Sequence, residues 1–240
     1  MLYIYGTCFN NADIISKSLS SIRNLNYEKM FIVDNYSTDK TYEILQQLSA
    51  EYRINIMEIK CSRGLGRHKA MKNALNVSKK GDLLMFIDFD MIYSDKFIDF
   101  VNDKIDNFDE NTIYDNQLSE YDANIKVPWR NINYGEDWER MAHFKNLGYK
   151  IVLNNFNNVN QSLNGPREAR YVKGIKLYLR GFNNAVDSQR GFCFKEFRDY
   201  LNQQKTNKYT LFYFLAYNIA KIKGCYCYDK IIDNRKYVIT

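Results

Sequence analysis

No stretch of this chain is apolar for the roughly 18 residues that a membrane-crossing helix needs, which excludes a span of that kind. Its opening, Met1-Leu2-Tyr3-Ile4-Tyr5, has no basic segment ahead of the apolar residues. It reads as a first strand rather than a signal peptide. Cysteine is sparse: Cys8, Cys61, Cys193, Cys225 and Cys227. The odd count and scattered spacing argue against a disulfide framework, and Cys225-Tyr226-Cys227 is not a zinc spacing. Reduced, mostly buried thiols in a cytoplasmic protein are expected. Histidine occurs twice, at His68 and His143. Both fall in predicted helices far apart in sequence, where a packed or surface role is expected. No Ser/His/Asp arrangement and no internal repeat stands out.

Acidic residues are scarce in one region only. The net charge is +6 over 240 residues. Residues 1–165 hold 19 Lys+Arg against 22 Asp+Glu, whereas residues 166–240 hold 15 against 6. The basic balance therefore belongs to the last third, and a polyanion or an anionic membrane surface is its candidate partner.

What is present is a repeated strand–helix alternation. Strands are expected at Leu2–Tyr5, Met30–Val33, Ile54–Ile59 and Leu83–Ile87, with helices at 12–22, from Thr41, and at 68–77. This order implies a mostly parallel sheet with helices on both faces. A helix is expected at 95–101. Residues 102–124 show no strong period, and Ile125–Trp129 reads as a strand. A helix at 136–147 closed by Gly148, a strand at 151–153, an Asn-rich loop at 154–165 and a mainly helical remainder complete the reading. Ligands of such sheets bind at the carboxyl ends of the strands.

The loops Thr7–Asn11, Asp34–Asp39, Arg63–Arg67 and Asp88–Asp90 gather at those ends, and four constellations along the chain can carry chemistry. Asp88-Phe89-Asp90 follows an apolar run, Leu83–Ile87, of the kind buried on both sheet faces. Two acids so placed repel each other unless a cation sits between them, which suggests a metal with a diphosphate. Asp34 follows the second strand, where an acid can accept hydrogen bonds from a nucleobase or ribose. Ser37, Thr38 and Asp39 after it are turn and cap residues. Arg63-Gly64-Leu65-Gly66-Arg67 reads as a glycine-containing loop that brings backbone and cations to phosphate. It is neither a dinucleotide fingerprint nor a P-loop. Gly135-Glu136-Asp137-Trp138-Glu139 begins a helix, where acids suit the dipole and one can serve as a general base.

These pieces, in this order, resemble the inverting family-2 glycosyltransferases of the GT-A fold. The matching residues are Val33-Asp34-Asn35-x-Ser37-x-Asp39-x-Thr41, Arg63–Arg67 with Ala70 and Asn73, Phe86–Asp90, and Gly135-Glu136-Asp137-x-Glu139. Phe9-Asn10-Asn11 also looks like the family's opening, and the likeness covers residues 1 to about 153. The resemblance implies an α/β, Rossmann-like GT-A fold for the catalytic domain, expected over 1–165; charge and pattern make 166–240 a basic, mainly helical extension expected to pack on it. It implies metal-assisted transfer of a sugar from a nucleotide sugar, UDP- or GDP-linked, to a glycan, lipid-linked or protein acceptor. Asp34, Arg63, Arg67, Asp88, Phe9 and Asn10 would bind the donor nucleotide. Asp90 and Asp88 would hold Mn²⁺ or Mg²⁺, and Asp137, supported by Glu136, would be the base. The 154–165 loop would act as a lid.

Two other readings fit the sequence less well. A sugar-nucleotide nucleotidyltransferase needs a glycine-rich, cationic loop after the first strand, and Gly6-Thr7-Cys8-Phe9-Asn10 has one glycine and no cation. A non-enzymatic nucleic-acid binder would use the basic tail, but Asp34, Asp90 and Asp137 together disfavour it. In the tail, residues 168–182 have the spacing of a basic amphipathic helix, and 209–222 are strongly apolar yet too short to span a bilayer. A cytoplasmic protein is expected, whose tail helices either pack on the catalytic domain with their cations solvated or lie peripherally on the inner face of a membrane.

Overall fold

The computed structural model describes residues 1–131, 135–154, 156, 158–160, 175–189, 194, 197–198, 201 and 210–222. Its centre is the expected alternation: β1 (Leu2–Cys8), α1 (Ile15–Ser21), β2 (Lys29–Asp34), α2 (Thr41–Leu48), β3 (Ile54–Glu58), α3 (Arg63–Val77) and β4 (Leu83–Phe86). The order β3-β2-β1-β4 is parallel throughout, with Tyr5 level with Phe31 and Phe86. The uninterrupted apolar runs are explained by two layers of packing. Leu2, Ile4, Met30, Ile32, Met85 and Ile87 join one apolar cluster with Ile15, Leu19 and Phe97. Tyr3, Tyr5, Phe31, Val33, Leu84 and Phe86 join another with Ala70, Met71, Ala74 and Trp129. Successive strand residues point to opposite faces, so a strand covered on both sides needs apolar residues at every position.

Beyond β4 come β5 (Met91–Ile92), α4 (Asp95–Asp106), β6 (Thr112–Tyr114), β7 (Leu118–Glu120), α5 (Tyr121–Lys126), α6 (Glu136–Asn146), β8 (Lys150–Val152) and β9 (Val159–Asn160). The main sheet has seven strands, extended as β4-β7-β6-β8 with β7 antiparallel to both neighbours. Here the structure corrects three sequence expectations. Residues 102–124 contain the hairpin β6–β7, whose turn places Asp115 and Asn116 at positive φ. Three-residue strands are too short to show a period. Instead of a strand at Ile125–Trp129, the chain forms α5, with Ala123 and Asn124 buried. Asn124 donates to Ser119 Oγ (2.9 Å) and to Glu120 O (2.8 Å), which fixes that turn of helix.

The Asn-rich segment is also more than a loop. Val159–Asn160 pairs antiparallel with Met91–Ile92, directly after Asp90. Ser94 donates to Phe156 O (2.5 Å) and its N–H to Asn158 Oδ1 (2.9 Å). Its described part is thus docked beside the strand end, while residues 161–165 of the expected lid lie outside the described residues. So do Cys193, Cys225, Cys227 and the first half of the expected helix at 168–182. The chain then forms α7 (Ile175–Gln189) and α8 (Thr210–Ile222), which pack on each other, and α7 also meets α6. Among the described residues no helix is long and apolar enough to cross a membrane.

Candidate active site

The site is built from the loops at the carboxyl edge of β1, β2 and β4. The loop after β1 and the loop after β2 are tied side by side. Asn10 Oδ1 accepts from Thr38 N (2.7 Å), Ser37 Oγ accepts from Asn10 N (2.9 Å), and Thr41 Oγ1 accepts from Asn11 N (2.7 Å). Asp39 Oδ2 accepts from Ala12 N (3.1 Å). Asp34 lies beneath this junction, fully buried. Its carboxylate accepts from Ser37 N (2.9 Å), Ser37 Oγ (2.5 Å) and Cys8 Sγ (3.4 Å). The turn residues therefore hold the loops, as their types imply. Phe9 and Tyr36 stay exposed on the tied loops. Tyr36 went unnoticed in the sequence, although an aromatic beside Asp34 at a ligand edge was its signal.

The third expected loop is a helix start. Ser62 caps α3, its Oγ accepting from Leu65 N (3.1 Å), so Arg63–Arg67 form the first turns. Gly66 serves packing between protein elements: a Cβ there would stand 2.5 Å from Thr7 Oγ1 and 3.1 Å from Cys61 Sγ. Its bareness lets α3 lie against β1. Gly6 does the same for the end of β4, since a Cβ would meet Ile87 O at 2.6 Å and the Phe89 ring at 2.8 Å. Cys61, half-buried nearby, has its thiol pushed up to about 11 by burial.

Phe89 is buried, whereas Asp88 and Asp90 on either side are half-exposed. The turn is braced from below by Tyr93, whose hydroxyl accepts from Asp88 N (2.9 Å). Burial first, and then the charges of Asp88 and Asp90, raise the Tyr93 pKa, so it stays a neutral phenol. Among the described residues no group of three or more His, Cys, Asp or Glu is placed to hold a metal. Asp88 and Asp90 offer a pair of hard oxygen donors, a set that suits Mg²⁺ or Mn²⁺ when substrate phosphates complete the shell.

Arg67 is the junction of the site. It is 2% exposed and lies over Phe86 (4.6 Å to the ring centre) and Trp129 (4.9 Å). One terminal nitrogen pairs with Asp88, and the other stands 2.8 Å from Glu136 Oε1. Burial lowers its pKa, but the charges of Asp88, Glu136 and Asp137 outweigh this and the net shift is upward. Arg67 therefore keeps its charge. Arg63 Nε lies 3.7 Å from the same Glu136 oxygen, its side chain half-exposed.

Helix α6 begins at Gly135, in the left-handed conformation at φ 72°. Glu136 then points inward and Asp137 remains half-exposed. Burial raises the Glu136 pKa, and Arg67 and Arg63 oppose that rise. Asn116, in the β6–β7 turn, donates to the Asp137 carbonyl (3.0 Å). Farther along, Glu139 faces Arg130 Nη1 (3.9 Å) and His143 Nε2 (3.5 Å), all buried. Arg140 donates to Val127 O (2.9 Å), Tyr5 Oη (2.8 Å) and Asn124 Oδ1 (2.6 Å). Burial lowers the Arg140 pKa. Sequence alone offers these acids as dipole partners or a general base; in the structure most of this helix's charge is internal. The recurrence of charged or polar residues at 136, 139, 140 and 143 was the available clue.

Comparison with known proteins agrees with this architecture. The model of the family described as "Glycosyl transferase family 2" matches residues 4–164. A protein of Bacillus subtilis (strain 168), YfnE, described as an uncharacterized glycosyltransferase, is 32% identical over 89 residues. That match covers 35% of this chain and 21% of YfnE. The structure of S. aureus TarS superposes with a TM-score of 0.52 at 12% identity, over 64% of this chain and 35% of TarS. TarS 1–349 in complex with UDP-GlcNAc gives 0.50 at 12% identity, over 77% and 65%. The chain thus spans only part of the length of these proteins, and the structural likeness is one of fold: a GT-A sheet, mostly parallel and flanked by helices. With two thirds of its length matched by the family model, the chain belongs to glycosyl transferase family 2.

Proposed function

We propose that the chain transfers a sugar from a nucleoside-diphosphate sugar to an acceptor hydroxyl, with inversion at the anomeric carbon. The observation that carries this reading is the position of Arg67. A single buried guanidinium joins Asp88, at the end of β4, to Glu136, at the start of α6, with Asp137 close enough to raise its pKa. This supports a reading in which Asp88 serves the donor side and Asp137, next to Glu136, the acceptor side.

The nucleotide lies along the tied loops after β1 and β2, its base against the exposed rings of Phe9 and Tyr36. Asp34 and Asn10 shape this end. A direct contact between Asp34 and the base requires Ser37 to give way. The solved TarS complexes with UDP and UDP-GlcNAc favour a uridine donor. Arg63 meets the diphosphate from the solvent side, while Arg67 fixes Asp88. Asp88 and Asp90 would hold Mn²⁺ or Mg²⁺, which neutralises diphosphate charge when bound.

Asp137 is the base. Its carboxylate takes the proton of the acceptor hydroxyl as that oxygen bonds to the anomeric carbon. The bond from that carbon to the diphosphate oxygen breaks, and the diphosphate leaves with the electron pair. One displacement inverts the configuration. Glu136 is too buried to meet an acceptor, so its part is to fix α6 through Arg67. Residues 1–165 form the catalytic unit, and the acceptor is a glycan, a lipid-linked sugar or a protein.

Asp137→Asn tests the assignment. Transfer should fall by about 10²–10⁴, while thermal stabilisation by nucleoside diphosphate with Mn²⁺ or Mg²⁺ persists. Near-normal transfer would remove Asp137 as the base. No stabilisation of the parent by any nucleoside diphosphate would overturn the whole reading.

A further inference from the structure

Helix α8 is apolar on two sides. Ala216 and Ala220, on its inner side, pack with Ala185 and Val186 of α7. Its outer side carries Leu211, Phe214, Leu215 and Ile222, which are 70, 48, 49 and 85% exposed. These positions recur at helical spacing and make one stripe, with the exposed Asn218 among them. A helix lying in water ordinarily turns charged residues outward. Here the outward face is the apolar one.

The charges lie at the ends of the helix. In sequence Lys205 and Lys208 come before α8, Lys221 lies in its last turn and Lys223 follows its end; of these only Lys221 is among the described residues. No Asp or Glu occurs between Asp199 and Asp229. At about 1.5 Å per residue the helix is roughly 20 Å long, shorter than the roughly 30 Å hydrocarbon core of a bilayer. It fits a bilayer lying in the plane, not crossing it.

We propose that α8 docks on the surface of a membrane containing anionic lipid. Leu211, Phe214, Leu215 and Ile222 enter the headgroup–acyl boundary, and the flanking lysines meet lipid phosphates. Charge decides the occupant. A two-fold contact between copies would set each lysine cluster against another in a segment with 15 basic and 6 acidic residues. Like charges oppose that contact. Nucleic acid satisfies the lysines but leaves the apolar stripe in water. An anionic bilayer satisfies both. This inference is independent of the sugar-transfer reading.

Flotation of the full chain with vesicles of phosphatidylglycerol and phosphatidylcholine tests it. The parent should float with the mixed vesicles at low salt, several-fold less with phosphatidylcholine alone, and less as salt rises. Leu211→Ser/Phe214→Ser/Leu215→Ser should reduce flotation tenfold or more, with its folding verified by circular dichroism. Should that variant not fold, Lys221→Glu/Lys223→Glu provides the second arm and should abolish the preference for anionic vesicles. Three results would overturn the proposal: no flotation of the parent at low salt, flotation unchanged by folded variants, or a solution dimer that the triple variant dissociates in a protein that does not float.

Discussion

Helices α6 and α8 each carry one face whose polarity is the opposite of that expected on a globular protein: the inner face of α6 and the outer face of α8. α6 turns Glu136, Glu139, Arg140 and His143 into the molecule, each 1% exposed or less. α8 turns Leu211, Phe214, Leu215 and Ile222 away from it. The difference lies in what meets the reversed face. Every inward group of α6 has an internal counterpart: Arg67 and Arg63 at Glu136, Arg130 and His143 at Glu139, and Tyr5, Asn124 and the Val127 carbonyl at Arg140. The rings of Phe86 and Trp129 enclose Arg67, and Trp129 and Phe144 flank Arg140. Desolvating charges is costly, and only close counter-charges and hydrogen bonds offset it. α6 finds its compensation inside the protein. Among the described residues nothing covers the outer stripe of α8, and an external surface is its proposed compensation.

The contrast breaks most easily at Arg67. Removing one partner of a buried ion pair typically costs about 3–5 kcal/mol. Arg67→Ala should lose that much, and at this chain length the unfolding midpoint should drop by roughly 6–20 °C. A loss below about 1 kcal/mol would mean that α6 tolerates its inward charges without a counterpart.

A smaller and more specific effect is expected at Glu136→Gln. Burial pushes the Glu136 carboxyl above its ordinary range, against the pull of Arg67 and Arg63. The folded protein therefore releases this proton at higher pH than the unfolded chain. Its contribution to stability is complete below the unfolded value of about 4.3 and is lost as pH rises through the folded one. Glutamine does not titrate, so the variant should gain on the parent in thermal unfolding from about pH 4 upward. A difference that stays flat with pH would show that burial does not dominate at this carboxyl.

The strands of the parallel half, β1 to β4, were legible because a doubly covered strand must be apolar at each position, as in Leu83–Phe86. The boundary of α3 was misplaced because Gly64 and Gly66 read as turn residues, while Gly66 is bare so that α3 can approach Thr7. α5 was hidden by the brevity of its apolar run, and β6–β7 by strands of three residues. The site was legible at the level of motifs and opaque at the level of burial. Arg67 and Glu136 were readable as functional residue types, but Arg and Glu default to solvent. Nothing in their own sequence neighbourhoods announces that they meet under Trp129. That pairing is a property of the sheet, which brings Phe86 and the α5–α6 connection together across more than forty residues.

The finest test compares two adjacent positions on α8. Leu215 faces outward and is half-exposed, while Ala216 is fully buried in the cluster shared with α7. A polar substitution on an uncovered surface usually stays within about 0.5 kcal/mol, so Leu215→Gln should hardly move the unfolding midpoint. Ala216→Gln forces extra volume and an amide into a packed interface and should cost about 1–3 kcal/mol. One step along the helix therefore separates a face that folding uses from a face that it does not. If Leu215→Gln destabilises the protein as much as Ala216→Gln, the outer stripe is already covered by the rest of the chain. α8 would then resemble α6 after all, with its compensation internal, and the reason to look for an external surface would disappear.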